Sequence, residues 1–583
     1  MVFGLHWLDL SIIAAYFAIT LYIGVYRGGK KTKSLGDFYV AGGKWGAAVS
    51  FIFIFASAIA GNEAVVVGGQ AYESGLSGVW YWWSFLFATP IYFLFSTYFR
   101  RARVYNVSEF LEMRYDKNVS AFYSVIAGII CILFIGMFLL AIAKIITGMT
   151  AFSVSQCVWI ITFIVAAYVF TGGMMATLLT DIFQGLLVLV ILCFIMLPFL
   201  LKSAGGWSAL QEYSIQKPEI WNLVDPERMN IWTILALNLS AMVGGIAAPW
   251  IYNWISVSKN ERAATQCAWG HLWKRLITLL FAFYGILFVI YKPGITDPES
   301  SWGIVMKEIL PVGIIGLLII SFFAAAMSSA GSYATTSSAM FANYFYRKML
   351  SPLRTSSHYL LVGRFVALAS LIVAAISTVF IGSIQEYVKL SLTLLCFIGV
   401  PILFGVLWKK SNLTGMWLSL IGGVIVYVVV VAVTMMQNKI NFVEAINPSF
   451  EIAVFSATAA SLLGMILGSY LGKPTDHLKL KRFHVIINTP VGDESRLVAA
   501  GISLPALIDA GLIGNENEKI NVDILEKLYQ QDSKDKFFGS DSNFELRREN
   551  KLSWYYPGFF QVIGASVALV VGTWLIARIL FIW

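Results

Sequence analysis

Fourteen stretches of this 583-residue chain are apolar for about the length of a membrane crossing, and that succession constrains the fold more than any single motif. A spanning helix needs roughly 20 mostly apolar residues. The stretches run over 7–26, 45–71, 78–99, 120–147, 154–171, 173–201, 231–256, 268–291, 311–345, 358–382, 384–408, 414–436, 450–472 and 556–582. Only 13% of the residues are charged, where ordinary soluble domains carry about a quarter. Inside a bilayer each segment must satisfy its own backbone hydrogen bonds. The expected fold is therefore an all-α polytopic membrane protein with about 14 transmembrane helices.

The formal charge of +9 is explained by where the cations fall. Arg27, Lys30, Lys31, Lys33 and Lys44 form one cluster; Arg100, Arg101, Arg103, Arg114 and Lys117 form the next. Lys259, Arg262, Lys274 and Arg275 follow, then Arg347, Lys348 and Arg354, then Lys409 and Lys410. These clusters occupy every second short loop, the positive-inside pattern, which sets topology rather than a nucleic-acid partner. It places both termini outside. The first stretch lacks a basic leader and a small-residue cleavage site, so it reads as a retained helix. Five scattered cysteines without a Cys-x-x-Cys pair suggest neither a zinc site nor a disulfide framework.

The organisation follows from the segments. Residues 1–44 hold the first helix and a basic loop, 45–201 a first group of five helices, and 202–230 an outer loop. Residues 231–408 form a second group of five, 409–473 two more helices, 474–553 a cytoplasmic loop, and 554–583 the last helix. Five is odd, so the second group enters the membrane from the opposite side, as an inverted repeat does. The first helix of each group has a breakable middle: Gly61-Asn62 with Gly68-Gly69, and Gly244-Gly245 with Pro249. In the loop, Val522–Leu528 reads as a short amphipathic helix and Gly539-Ser540-Asp541 as a turn. Nothing in it resembles a nucleotide-binding loop.

The run Ala324-Ala325-Ala326-Met327-Ser328-Ser329-Ala330-Gly331-Ser332 is lined with hydroxyls inside an apolar segment. A lipid-facing helix gains nothing from them, so they face protein, water or an ion. Sodium prefers hard oxygens, and a helix offers hydroxyls and, where it is distorted, free carbonyls. Ala325 and Ser328 share a helix face, with Ser329 beside them. The carbonyls of Ala56 and Ile59, also three apart, complete a candidate five-oxygen shell. The competing reading has these serines bonding back to their own helix. Asp181, an embedded carboxylate, suits a sodium or proton relay, or a structural pair with Lys144. Asn62 and Glu63 suit a hydroxylated or cationic solute; Gln385 is either a third such group or an interfacial polar residue. Trp250, Tyr252 and Trp254 are expected to stack on the solute or gate it, whereas Trp80-Tyr81-Trp82-Trp83 reads as an interfacial belt.

Several phrases then resemble one family. Tyr168…Gly172-Gly173-Met174…Thr180-Asp181…Gln184 is similar to the signature of sodium:solute symporters. So are Asp37-Phe38-Tyr39-Val40-Ala41-Gly42-Gly43, Val107-Ser108-Glu109-Phe110-Leu111-Glu112…Arg114-Tyr115, and Phe404-Gly405-Val406-Leu407-Trp408-Lys409-Lys410-Ser411-Asn412…Gly415. The resemblance covers about residues 7 to 472. It implies a five-plus-five inverted-repeat core working by alternating access and driven by sodium. It also implies a sodium site at Ala56, Ile59, Ala325, Ser328 and Ser329, the positions already reached from ligand chemistry. Asp181 matches the family's aspartate on the sodium exit path. A second sodium site would use two hydroxyls that here read Gly331 and Ser332, so one sodium is expected. Asn62, Glu63 and Gln385 fall at solute positions of sugar-transporting relatives, with Glu63 replacing a neutral amide. Asn253-Trp254 stands where a Gln-Arg pair is common.

The expected activity is sodium-coupled import of a small polar organic solute across the cell membrane by a monomer. A sugar or polyol is the first expectation. An amino acid or amine, or a nutrient sensor without concentrative transport, is the alternative. No nucleophile–base pair converges, so an enzyme is not expected, and no cofactor beyond the coupling ion is implied.

Overall fold

The computed structural model describes residues 4–28, 30, 35–59, 61–351, 354–504, 507–508, 511–512, 520–533 and 554–581. Lys31, Lys33, Ala60 and the Gly539-Ser540-Asp541 turn lie outside them. Among the described residues regular structure is helical, with two isolated backbone bridges besides. The elements used below begin with α1 Trp7–Leu21, α2 Ala47–Ser57, α3 Gly61–Ser74, α4 Thr89–Ala102, α5 Lys117–Met149 and α6 Val154–Val190. Then come α7 Ile231–Gly245, α8 Pro249–Ser256, α9 Gln266–Trp273, α10 Arg275–Tyr291, α11 Ile314–Ser338 and α12 Ser356–Ser377. The chain continues with α13 Ile384–Leu407, α14 Leu413–Asn438, α15 Phe442–Leu471, α16 His477–Asn488, α17 Glu494–Ala499, α18 Val522–Ser533 and α19 Tyr555–Phe581.

Ten helices among the described residues are long and apolar enough to cross a membrane, or twelve if each of two bent pairs is one span. Two of the fourteen expected spans are not counted there as separate crossings. Residues 78–99 divide into Trp80–Trp83 and the 14-residue α4. The stretch 154–171 forms the first part of α6, which runs on to Val190 as one kinked helix. Just beyond it, Gly173 breaks α6 at φ 53°, and a Cβ there would collide with the Phe38 ring. Glycine alone meets both demands without cost.

The two bent pairs are those whose middles carry glycine and proline. The axis of α2 turns by 52° into the following helical run, and that of α7 turns by 52° into α8. At the first break the N–H of Ile59 closes tightly onto the carbonyl of Ala56 (3.0 Å) before α3 resumes. At the second, Ala247 and Ala248 bond back to Gly244 and Gly245, and Pro249 opens the next helix, where its missing N–H costs nothing.

Burial separates the centre of the bundle from its rim. The apolar windows of α11, α13 and α5 are 83%, 78% and 72% buried, against 11% for α19. The central helices therefore pack against protein on nearly every side, and the last helix lies at the periphery.

The stretch after α15 forms a small module on the face that carries the basic loops. Helices α16, α17 and α18 share an apolar core that includes Val485, Leu497, Ile502 and Leu525. The expected helix at Val522–Leu528 extends to Ser533. Arg103 binds the module, with Nη2 2.9 Å from Glu494 and further bonds to the carbonyls of Thr489 and Pro490. Burial pulls the Arg103 guanidinium below its ordinary range. Burial pushes the Glu494 carboxyl up, but the Gly492 N–H and Arg103 outweigh it and hold it below the usual carboxylate range.

Candidate functional site

The break between α2 and α3 leaves Ser57 at the end of a helix, beside α6. Its hydroxyl donates to Asp181 Oδ2, and both residues are buried. Ser328 of α11 lies beside the same carboxylate, beyond ordinary hydrogen-bond geometry. Asp181 Oδ1 and the hydroxyls of Ser328 and Ser332 are buried with no hydrogen-bond partner among the described residues. Leaving such groups unpaired is costly, and hard oxygens of this kind suit a small alkali cation. Gly61 brings the break close to α11, 3.7 Å from the Ala325 Cβ when a Cβ is built on it. Ser329 instead donates to the Ala325 carbonyl (3.2 Å), the back-bonded alternative, which leaves its oxygen lone pairs available. Gln184 of the signature donates to Tyr16 Oη (2.9 Å) and so ties α6 to α1.

Next to these oxygens lies a small chamber of about 40 Å³, which Ser57, Ala58 and Ser329 border on one side. Phe134, Phe138, Trp250 and Tyr333 form an aromatic wall, with Trp250 stacked on Tyr333 at 4.5 Å between centroids. Trp82, Phe85, Trp254, His271 and Arg275 complete it. The stacking candidates therefore separate. Trp250 and Trp254 are four apart on α8 and share the chamber face. Tyr252, two residues on, points away: its hydroxyl donates to the Val104 carbonyl (2.7 Å), and it lines a separate cavity with Arg100 and Arg103.

The polar residues expected to meet solute are all engaged by protein. Asn62 donates to Met137 Sδ (3.4 Å). Glu63 is paired with Lys274 and accepts from Thr278, all three buried. Gln385 accepts from Tyr81 Oη at 3.2 Å. None of the three borders the chamber.

Three sequence readings need correction. Lys144 pairs with Glu299 (2.5 Å) and Asp297 (3.4 Å) rather than with Asp181. The Trp80–Trp83 run is buried, not an interfacial belt. Its indoles reach carbonyls inside the protein, Trp80 that of Leu223 and Trp83 that of Arg275, and such a partner lets a buried tryptophan keep its polar end satisfied. Lys274 and Arg275, counted above as loop cations, are 0% and 1% exposed and lie within the bundle. Loop counting hid them, along with His271. The available signal was their position inside the apolar stretch 268–291, where cations are expensive and so functional or paired.

The sodium:solute symporter family profile matches residues 38–423. The sodium/proline symporter of Staphylococcus aureus (strain Newman) is 24% identical over 499 residues, covering 80% of this chain and 94% of that protein. The solved structure of a Na+-coupled sialic acid symporter superposes with a TM-score of 0.67 at 19% identity, covering 81% of this chain and 99% of the other. That likeness extends to the fold, and the profile spans most of the helical bundle described here. The chain belongs to the sodium:solute symporter family, whose members are secondary transporters rather than enzymes, and it is an integral membrane protein.

Proposed function

We propose that this protein couples downhill influx of sodium to uptake of a small polar organic solute by alternating access. The observation that carries the reading is the meeting of Ser57, Asp181, Ser328 and Ser329 at the α2–α3 break, directly beside a chamber walled by aromatic rings. Sodium held by the Ala56 and Ile59 carbonyls together with Ala325, Ser328 and Ser329 would bridge α2 and α11. It would thereby fix one wall of the chamber. Asp181 and Ser332, whose Oδ1 and hydroxyl are buried without a partner among the described residues, would pass the ion on. With the basic loops inside, both termini outside and the membrane that of the cell, the electric field favours influx by about 2.3 kcal/mol per charge per 100 mV.

A sugar or polyol cargo draws on Asn62, Glu63 and Gln385, each of which already has a protein partner. An amino acid cargo is a second reading, supported by the relatives named sodium/proline symporter. Uptake of a labelled solute panel into proteoliposomes, with sodium or choline outside, tests the function. The double substitution Ser328→Ala, Ser329→Ala should abolish sodium stimulation. Stimulation equal to that of the unmodified protein would show that the ion binds elsewhere.

A further inference from the structure

The chamber offers hydrogen-bond donors and positive charge, with few acceptors. Arg275, at the start of α10, is 1% exposed and borders it. Its Nη1 donates to the Trp82 carbonyl (3.0 Å), and its Nη2 lies 2.6 Å from His271 Nδ1. Its Nε is buried with no partner among the described residues, and the guanidinium sits 5.6 Å over the Phe85 ring. No carboxylate is among these contacts. Glu63 is committed to Lys274, the residue next to Arg275, and to Thr278. Two adjacent buried cations thus share one anion. A buried charge without a counter-ion is strongly unfavourable, so this arrangement is completed by an anion from elsewhere.

The indole and imidazole that border the chamber point the same way. Trp254 Nε1–H is buried, borders the chamber and has no partner among the described residues; indole can only donate. A guanidinium donating to His271 Nδ1 fixes that ring with its proton on Nε2, a donor again. The Ser57 and Ser329 hydroxyl protons are directed to Asp181 and to the Ala325 carbonyl, so the acceptors these two serines offer are two oxygens on the side of the proposed sodium site. Two serine oxygens are too few for the several hydroxyl protons of a polyol, and an amine without a carboxylate would meet Arg275 with nothing to offset the charge. A carboxylate accepts only, and its two oxygens match the guanidinium fork. The aromatic wall gives a halide or inorganic oxyanion nothing and gives an organic body a dry surface.

We infer that the solute carries a carboxylate, bound by Arg275 with Trp254 beside it, and a compact apolar body held against Phe134, Trp250 and Tyr333. This rests on the symporter reading and narrows it to one class of cargo. An α-amino acid and an amine-free monocarboxylate share the chemistry, and the test separates them.

Binding to the purified full chain is measured by thermal shift and calorimetry, in sodium and in choline. The probes are L-proline, L-alanine, pyruvate and propionate, each beside its primary amide, with glycerol, xylitol and chloride as controls. At least one acid should bind in sodium, its amide about 30-fold more weakly, as expected for losing a charge-assisted hydrogen bond. Binding confined to L-proline and L-alanine identifies an amino acid cargo; binding of pyruvate or propionate identifies a monocarboxylate. Arg275→Gln should abolish acid binding while the sodium-induced shift persists, which shows that the variant is folded. Acids and amides binding alike, polyols binding instead, or no acid binding at all overturns the inference even if sodium still shifts the protein. No sodium-dependent shift in any mixture defeats the symport reading itself.

Discussion

Replacing Glu63 by Gln leaves the Lys274 ammonium buried with no anion beside it, a change of the kind that costs roughly 3–5 kcal/mol. Removing the cation as well relieves that penalty. Thermal unfolding in detergent should therefore show a large drop for Glu63→Gln, a comparable drop for Lys274→Met, and near recovery in the double variant. Additive losses would mean that the two residues act separately. The pair also shows what a sequence conceals at this scale. Glu63 was visible as an embedded carboxylate, and Ser328 and Asp181 as oxygens in apolar company, because polarity in a hydrophobic stretch is a local signal. Arg275 was not visible as a site residue. Its meaning lies in having no carboxylate among its contacts while Lys274, its neighbour in sequence, has one. That is a property of packing between segments about 200 positions apart.

At the scale of the element, the breaks were legible and the shortened spans were not. Glycine and proline announce where α2 and α7 end, since both work locally on the backbone. The 78–99 segment has enough apolar residues to span, yet it bends after Trp83 as its indoles turn to carbonyls on other elements. Hydropathy does not report such partners. Another element-scale feature is the start of α13, on the face opposite the module. There Glu299 accepts the N–H of Ile384 (3.1 Å) and takes Lys144 Nζ at 2.5 Å, so one carboxylate anchors the first turn of α13 to α5. A negative charge at a helix N-terminus is favourable in itself. Glu299→Ala should loosen that corner and open a route to the chamber. In a background lacking the native thiols, Ala58→Cys should then react several-fold faster with a polar thiol reagent. An unchanged rate would show that this corner does not govern access.

For the whole molecule, the bundle and the module have different sequence signatures. Apolar length and loop charge outline the bundle, whereas 474–553, with 11 basic and 13 acidic residues, says little beyond one amphipathic helix. The docking of that module rests on groups no local pattern pairs. Glu494 is held below the ordinary carboxylate range by burial-opposing bonds from Gly492 and Arg103. A depressed acid pKa stabilises docking above the unfolded-state value and loses that contribution as pH falls through the folded one. Hydrogen exchange in α16–α18, corrected for intrinsic rate, should stay slow at neutral pH and rise once the medium drops below about pH 4. Arg103→Gln should give the fast pattern at neutral pH. Slow exchange in that variant would place the docking energy in the apolar contact of Phe483 with Phe110 instead.

The family profile ends at residue 423, so the module lies beyond the matched region. It nevertheless joins the bundle through a shared carboxylate: Glu261 takes Arg101 and, through the same oxygen, the N–H of Val491. Arg101 lies in the last turn of α4 and Glu261 follows α8, so the module fastens to two elements about 160 positions apart in the chain. A clasp shared in this way means that loosening the module frees α4 and the segment after α8 together, not one at a time.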